Sequence, residues 1–437
     1  MLLHQQASPT ATHARILLFA WLGWLAVFYT LIAFFQLSLL YRVDLGLGDD
    51  GVKLIKAVAL AATGLGGLAL GLLADHKGRR AAMVVSVLVY TLGAAAAGFA
   101  RSAEWLVACA SVAGFGIGGQ WAAGQTLLGE TVPPRLRGRF GALAQTGAPL
   151  GLGLATVVAT QLAPAIGWRA AFWLSAAPVL LVPLVLTLVP ESDLWRDHRA
   201  RLARGERADR VRLGELWAPD VRGPFAVAFV LTLFNMANYW FTFSWLPEYL
   251  GRRWSLEIQT TGAWTLVFVT GSLTGYLLYG ICSDRWGRRR SFSLFSLVMA
   301  LGLSMITVFE GAIRGRPELI LFFIFVAGLG TGTWSGFGPL YTELFPTRVR
   351  NTAGGICMNV TRGVQFLAPL LVVAVGGQEL GRGVALAAAF AVLAGATVWW
   401  LPETRARVLA TEWAGPSDGR LGPAGGREVD RVASGPR

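Results

Sequence analysis

The chain has 437 residues, 54% of them hydrophobic and only 14% charged, where an ordinary soluble domain is about one quarter charged. That balance excludes a conventional water-soluble fold and points to a polytopic membrane protein, with 54 Gly and 17 Trp suited to close helix approach and interfacial anchoring. The formal net charge of +13 invites a nucleic-acid reading, but the basic residues fall in short loops and the tail, without the interleaved aromatics that stack bases, so no nucleic-acid partner is expected.

In chain order, the opening MLLHQQASPTATHARILLF carries little charge and meets an apolar stretch without a small-residue cleavage site. Residues 1–14 are therefore expected to lead into a retained first helix. Apolar windows of about 20 residues, enough to cross a bilayer, fall near 15–40, 53–74, 81–100, 104–128, 139–163 and 168–189. An Arg-rich stretch with interspersed acids over 190–222 interrupts them and reads as one or two helices lying on a membrane surface. Six more windows follow near 223–247, 258–281, 291–309, 317–341, 351–375 and 380–401, and residues 402–437 have the composition of a disordered tail. The organisation predicted is one six-helix bundle over 15–189 and another over 223–401. Placing the termini, the 190–222 loop and the even-numbered loops on one side collects most of the 38 Lys and Arg there. The positive-inside rule makes that side cytoplasmic, for both termini, in a plasma (inner) membrane.

Catalytic chemistry finds no support. Cys109, Cys282 and Cys357 sit in or beside apolar segments without metal-ligand spacing, and His4, His13, His76 and His198 fall in the terminus or loops. No Ser/His/Asp arrangement, metal cluster or phosphate loop is present, so neither an enzyme nor a cofactor or metal site is expected.

An internal repeat organises the spans. Gly71-Leu-Leu-Ala-Asp75-His-Lys-Gly78-Arg79-Arg80 returns as Gly280-Ile-Cys-Ser-Asp284-Arg-Trp-Gly287-Arg288-Arg289. Glu130, Pro133 and Arg137 return as Glu343, Pro346 and Arg350, and Pro190-Glu191-Ser192 returns as Pro402-Glu403-Thr404. A common offset of about 210 residues implies two related halves. The GxxxDxxGRR, ExxPxxxRG and PES/PET motifs resemble the major facilitator superfamily over roughly 15–405. The resemblance implies an all-α membrane protein of 12 transmembrane helices in two pseudo-symmetric six-helix bundles, acting as a monomer in the lipid bilayer. It also implies that Asp75, Arg79, Glu130, Arg137 and Glu191, with Asp284, Arg288, Glu343, Arg350 and Glu403, form an ion-pair network that latches the cytoplasmic side. Anchoring of helix ends is the plainer alternative.

Between these ends the spans are poor in charge. Arg362 lies about 18 Å along the eleventh span from Arg350, and no carboxylate sits at comparable depth in any span. A cation there meets either backbone carbonyls and amides or an anionic substrate. Asn359 and Phe366 share its face, with Gln365 beside it and Pro369 a turn beyond, and the segment resembles the RGxxxxxP stretch of organic-acid carriers. In the seventh span Asn235, Asn238 and Thr242, with Tyr239 and Trp240, make a stripe that either lines a pathway or joins helices. Tyr29 and Gln36 share a face of the first span. Gln120 and Trp121, deep in an oily run, have Thr333 and Trp334 as their repeat equivalents. Arg362, Gln120, Trp121, Asn359, Trp334, Asn238, Trp240, Tyr29 and Gln365 are the candidate substrate-binding residues.

Gly23-Trp24-Leu-Ala-Val27-Phe-Tyr-Thr30 is similar to the GWxFDxYD pattern of metabolite:proton symporters for sialic, lactate-type and aromatic acids, and Gly116-Ile-Gly-Gly-Gln120-Trp121 to their GxGGEW. Val27, Thr30 and Gln120 stand where that pattern has carboxylates, and a glutamine cannot titrate at physiological pH. The expected function is alternating-access transport of a small organic anion, with proton coupling in question. A symporter using another proton site, a lipophilic drug exporter and a non-transporting sensor remain alternatives.

Overall fold

The computed structural model describes residues 8–204, 213–254, 258–313, 316–367, 380–407 and 409. Every regular element among them is helical, because a long apolar run away from water satisfies its backbone only within its own turns. In the first half the spans are α1 (Ala11–Gln36), α2 (Asp49–Lys77), α3 (Arg79–Ala97), α4 (Ala103–Thr131), α5 (Pro134–Ile166) and α6 (Trp168–Leu188). The second half has α7 (Arg222–Trp254), α8 (Ile258–Trp286), α9 (Arg288–Thr307) and α10 (Glu318–Leu344). Two further segments complete twelve spans: α11, described over 350–367, and α12 (Leu380–Thr397). Pro369 lies outside the described residues, as do residues 1–7, 205–212 and the tail beyond 409.

Small residues set the packing. Every residue of α4 from Gly116 to Thr131 is buried. Gly114 and Gly118 lie against the carbonyls of Ala59 and Thr63 on α2, and Gly116 lies against the backbone of Tyr90 on α3, leaving no room for a Cβ. The halves meet along two seams. On α2, Gly64, Gly67 and Gly71 face Asn359, Gly355 and Asn351 of α11, while Gly138 on α5 faces Gly280 on α8.

Four spans depart from α-helical geometry. α5 carries a π turn at Val158–Leu162, α6 tightens to 3₁₀ over Leu174–Leu180 and α10 over Thr331–Gly336, and α11 widens to π over Ile356–Val360. Such interruptions often mark functional positions, and the two in the second half carry Trp334 and Asn359. α4, the first-half counterpart of α10, is unbroken.

At the end of the bundle near Glu130, the linker and tail are docked. Trp195, in the linker helix Asp193–Ala203, donates to the Asp75 carbonyl at 2.9 Å. Arg348 pairs with Glu215 and Asp220 at 3.2 and 2.6 Å. Despite a composition that suggests disorder, the first tail residues are held: Thr404 Oγ1 donates to Glu343 at 2.8 Å, and Leu409 is buried.

Candidate functional site

Two clusters of polar groups interrupt the apolar interior. The first closes the Glu130 end. Arg79 grips Glu130 with two hydrogen bonds of 3.2 and 3.0 Å and pairs with Asp75 at 3.2 Å. The second half repeats the arrangement: Arg288 holds Glu343 at 3.0 and 2.7 Å and Asp284 at 2.9 Å. Glu191 and Glu403 do not pair with these guanidinium groups. Each accepts from three backbone N–H groups, Glu191 from Arg79, Arg80 and Ser192 and Glu403 from Arg288, Arg289 and Arg405, and so caps α3 or α9. Gly78 and Gly287, with φ of 104° and 99°, turn the chain there, and a Cβ at either would collide with the capping carboxylate.

The same acids reach across the molecule. Asp75 accepts from the backbone N–H groups of Asn351 and Thr352 and from the Thr352 hydroxyl, at 3.3, 2.8 and 2.7 Å, so it caps α11 of the other half. Asp284 accepts from the N–H groups of Gly138 and Arg139 at 2.9 and 3.0 Å, capping the helical start of α5. Arg350 donates to Glu130, and Arg137 lies 3.8 Å from Glu343. All ten network residues named from the sequence lie together here, with one acid of each half, Asp75 and Asp284, seated on a helix start of the other half.

The second cluster surrounds Arg362, which is 2% exposed. One guanidinium nitrogen donates to Asn359 Oδ1 at 3.2 Å, the group lies 5.6 Å from the centre of the Trp24 ring, and its Nη2 has no partner among the described residues. No described carboxylate lies within ion-pair distance of it. Asn359 turns its own amide nitrogen to Gly118 O at 2.7 Å and Gly355 O at 3.1 Å, bridging α11 to α4 immediately before Gln120. The π turn carrying Asn359 and the glycine at 118 allow that approach.

Gln120 packs its amide onto the backbone at Gly23, and its Oε1 has no described partner. Trp121 stands 6.3 Å from Trp24 and 6.0 Å from Tyr341, and its indole N–H donates to Gln145 at 3.0 Å. Tyr341 shares a short hydrogen bond with Thr232, closing the floor between α10 and α7. On the second-half side, Trp334 lies 5.1 Å from Tyr239, and Thr333 Oγ1 donates to Asn235 Oδ1 at 2.9 Å. Asn235 Nδ2, Asn238 Oδ1, Ser335 Oγ and Trp24 Nε1 are buried without described partners. Trp240 faces Phe35 of α1, 6.0 Å away.

Not every candidate joins this cluster. Tyr29 donates to the Ala171 carbonyl at 3.1 Å, and Gln36 to Thr156 at 2.7 Å, so both tie α1 to other helices of its own half. Gln365 donates back to Thr361 O at 3.0 Å within α11. Val27 and Thr30 are fully buried. Sequence reasoning missed Gln145, Tyr341 and the ring of Trp24 as site residues. Gln145 carries the same signal as Gln120, an amide inside an apolar span. Among the described residues no group of three His, Cys, Asp or Glu side chains converges to hold a metal.

A cluster of this kind, with one guanidinium, several amides and aromatic walls, can bind an anion whose remaining surface is apolar. Known proteins resemble the chain over most of its length. The profile of the family described as Major Facilitator Superfamily matches residues 16–253 and 228–414. A protein of Cupriavidus pinatubonensis described as a probable 4-methylmuconolactone transporter is 31% identical over 388 residues, covering 85% of this chain and 86% of that one. The sialic acid transporter NanX of Escherichia coli is 27% identical over 389 residues, covering 88% and 91%. Among solved structures, the proton:xylose symporter XylE matches with a TM-score of 0.75 at 20% identity over 91% of this chain and 98% of that one, a likeness of fold.

Proposed function

Because the chain belongs to the major facilitator superfamily, we propose that it is a secondary carrier that moves a small organic carboxylate across the membrane by alternating access. The observation that carries this reading is Arg362: a buried guanidinium whose Nη2 has no described partner, with no described carboxylate beside it. Burying an uncompensated cation costs several kcal/mol, a cost that a bound carboxylate offsets with a bidentate pair. The names of the relatives support the same class, since muconolactone and sialic acid are both carboxylic acids.

The carrier works as a single chain in the plasma membrane, with the Glu130 end facing the cytoplasm as the charge bias of the loops requires. The arrangement described above is then closed on the cytoplasmic side. Transport is not obligatorily coupled to protons, because Val27, Thr30 and Gln120 leave the first-half face of the cluster without a titratable group.

Uptake into proteoliposomes of 4-methylmuconolactone, N-acetylneuraminate, nicotinate and benzoate tests this. Saturable uptake of at least one is expected, insensitive to an imposed pH gradient. Arg362→Ala should weaken apparent affinity by about 100-fold, corresponding to about 3 kcal/mol for a desolvated charge pair, with the melting temperature maintained. Unchanged affinity in that variant rejects the Arg362 assignment, and strong gradient-driven accumulation rejects the uncoupled reading.

A further inference from the structure

A second membrane-embedded cation has no role in the cluster around Arg362. Lys56 lies on α2 and is partly buried. With Leu60, Gly64, Gly67 and Gly71 it forms one face of that helix at i, i+3 and i+4 spacing. The lower members of this face lie on the seam with α11: Gly64 and Gly67 meet Asn359, and Gly363 approaches the carbonyls of Leu60 and Ala61 to within 3.6 Å of where its Cβ would stand. Lys56 is one turn beyond Leu60, about 6 Å further from the Glu130 end. It therefore stands on the seam between the halves, outward of Arg362.

Its surroundings come from three helices. The ammonium is 5.6 Å from the centre of the Phe35 ring on α1, and Phe35 in turn stacks obliquely, 6.0 Å away, on Trp240 of α7. Three other cations of this end are paired: Arg42 with Asp49 at 2.7 Å, Lys53 with Asp50 at 3.2 Å, and Arg169 with Asp44 at 2.7 Å. Lys56 has no such carboxylate among the described residues. Among the described residues its partner is the aromatic face of Phe35, which attracts a cation by about 1 kcal/mol and does not neutralise it.

We propose that Lys56, Phe35 and Trp240 form an outer docking site for the transported carboxylate, occupied before the anion descends to Arg362. This rests on the carboxylate reading above. The ammonium supplies the charge that draws the anion into the seam, and the two rings receive its apolar or unsaturated body. Transfer then follows a gradient of binding chemistry, from a flexible point charge to a planar guanidinium with fixed amides around it. Rings from both halves meet only while Phe35 and Trp240 are adjacent, so the station belongs to the arrangement closed at the Glu130 end.

A docking site of this kind governs capture and not turnover, and its charge effect is screened by salt. The test is initial-rate uptake of N-acetylneuraminate and benzoate, added outside proteoliposomes at low and high ionic strength. Lys56→Gln is expected to raise KM about five- to tenfold at low salt with Vmax within about twofold of wild type, and the difference should shrink at about 0.5 M salt. Lys56→Arg should keep KM near the wild-type value. If Lys56→Gln does not elute as a folded monodisperse protein, Lys56→Met carries the same expectation. An unchanged KM at low salt overturns the site, as does a charge-retaining variant as impaired as the neutral one. Wild-type uptake of neither probe, nor of 4-methylmuconolactone or nicotinate, overturns the carboxylate reading and this inference with it. Uptake that Arg362→Ala abolishes and Lys56→Gln leaves untouched overturns the outer site alone.

Discussion

At the scale of the residue, Gln120 decides whether the cluster can respond to pH. It packs on α1 beside Trp24, the ring that Arg362 also faces, with an unpartnered carbonyl oxygen. Gln120→Glu places a titratable carboxyl in that dry site. A carboxyl is neutral at low pH and carries a negative charge as pH climbs through its pKa. Apparent affinity for the transported anion is therefore expected to match wild type near pH 5 and to fall about tenfold by pH 8, roughly 1.4 kcal/mol of repulsion. Uptake measured at fixed pH on both membrane faces reads this directly, and a flat profile in the variant shows that Gln120 is remote from the substrate. Gln120 and Arg362 were legible in the sequence because polar groups in oily spans are rare. Tyr29 and Gln36 carried the same signal, yet they bond to α6 and α5. A membrane helix buried on most sides has little amphipathic periodicity, so the sequence marks the polar residue without saying which neighbour it faces.

At the scale of the element, the tail acts as a strap. Arg137 of the first half donates to the carbonyl of Arg407 at 2.5 Å, and the Arg407 side chain donates to the Glu343 carbonyl of the second half at 3.3 Å. Ala406 takes a left-handed conformation, φ 57°, to make the turn. A chain segment bonded to both halves at the Glu130 end favours closure there. Removing residues 405–437 leaves the Arg137 guanidinium short of an acceptor, a loss of about 1.5–3 kcal/mol for a hydrogen bond to a charged group. The truncated protein is expected to melt several degrees lower and to expose a cysteine introduced as Thr347→Cys, buried in the intact chain, to faster labelling from that end. Labelling at the full-length rate speaks against the strap. Composition could not reveal this role, since it reports the average of a Gly- and Pro-rich tail and is blind to the few residues at its root. The π turn in α11 was equally hidden: Ile356–Val360 has no Pro, and its geometry arises where Asn359 is drawn to the α4 backbone.

At the scale of the whole molecule, the repeat made two equivalent charged clusters legible, because motifs at a common offset imply equivalent positions. That Asp75 caps α11 and Asp284 caps α5 was not legible, since correspondence between copies says nothing of which surfaces of the copies touch. The structure adds a further link between the halves through Asn359, whose oxygen accepts from Arg362 while its nitrogen holds the Gly118 carbonyl across the seam. An anion that takes Arg362 for itself releases that oxygen, and the amide loses the contact that orients it. Kinetically, a carrier built this way has unequal barriers: the loaded form reorients faster than the empty one. Vesicles preloaded with unlabelled substrate should take up labelled substrate several-fold faster than empty vesicles, about 1 kcal/mol of barrier, and Asn359→Ala should abolish the difference. Equal rates with and without preloading sink the idea. If preloading does accelerate uptake, the expected mode in a cell is exchange, with import of one acid paced by export of another.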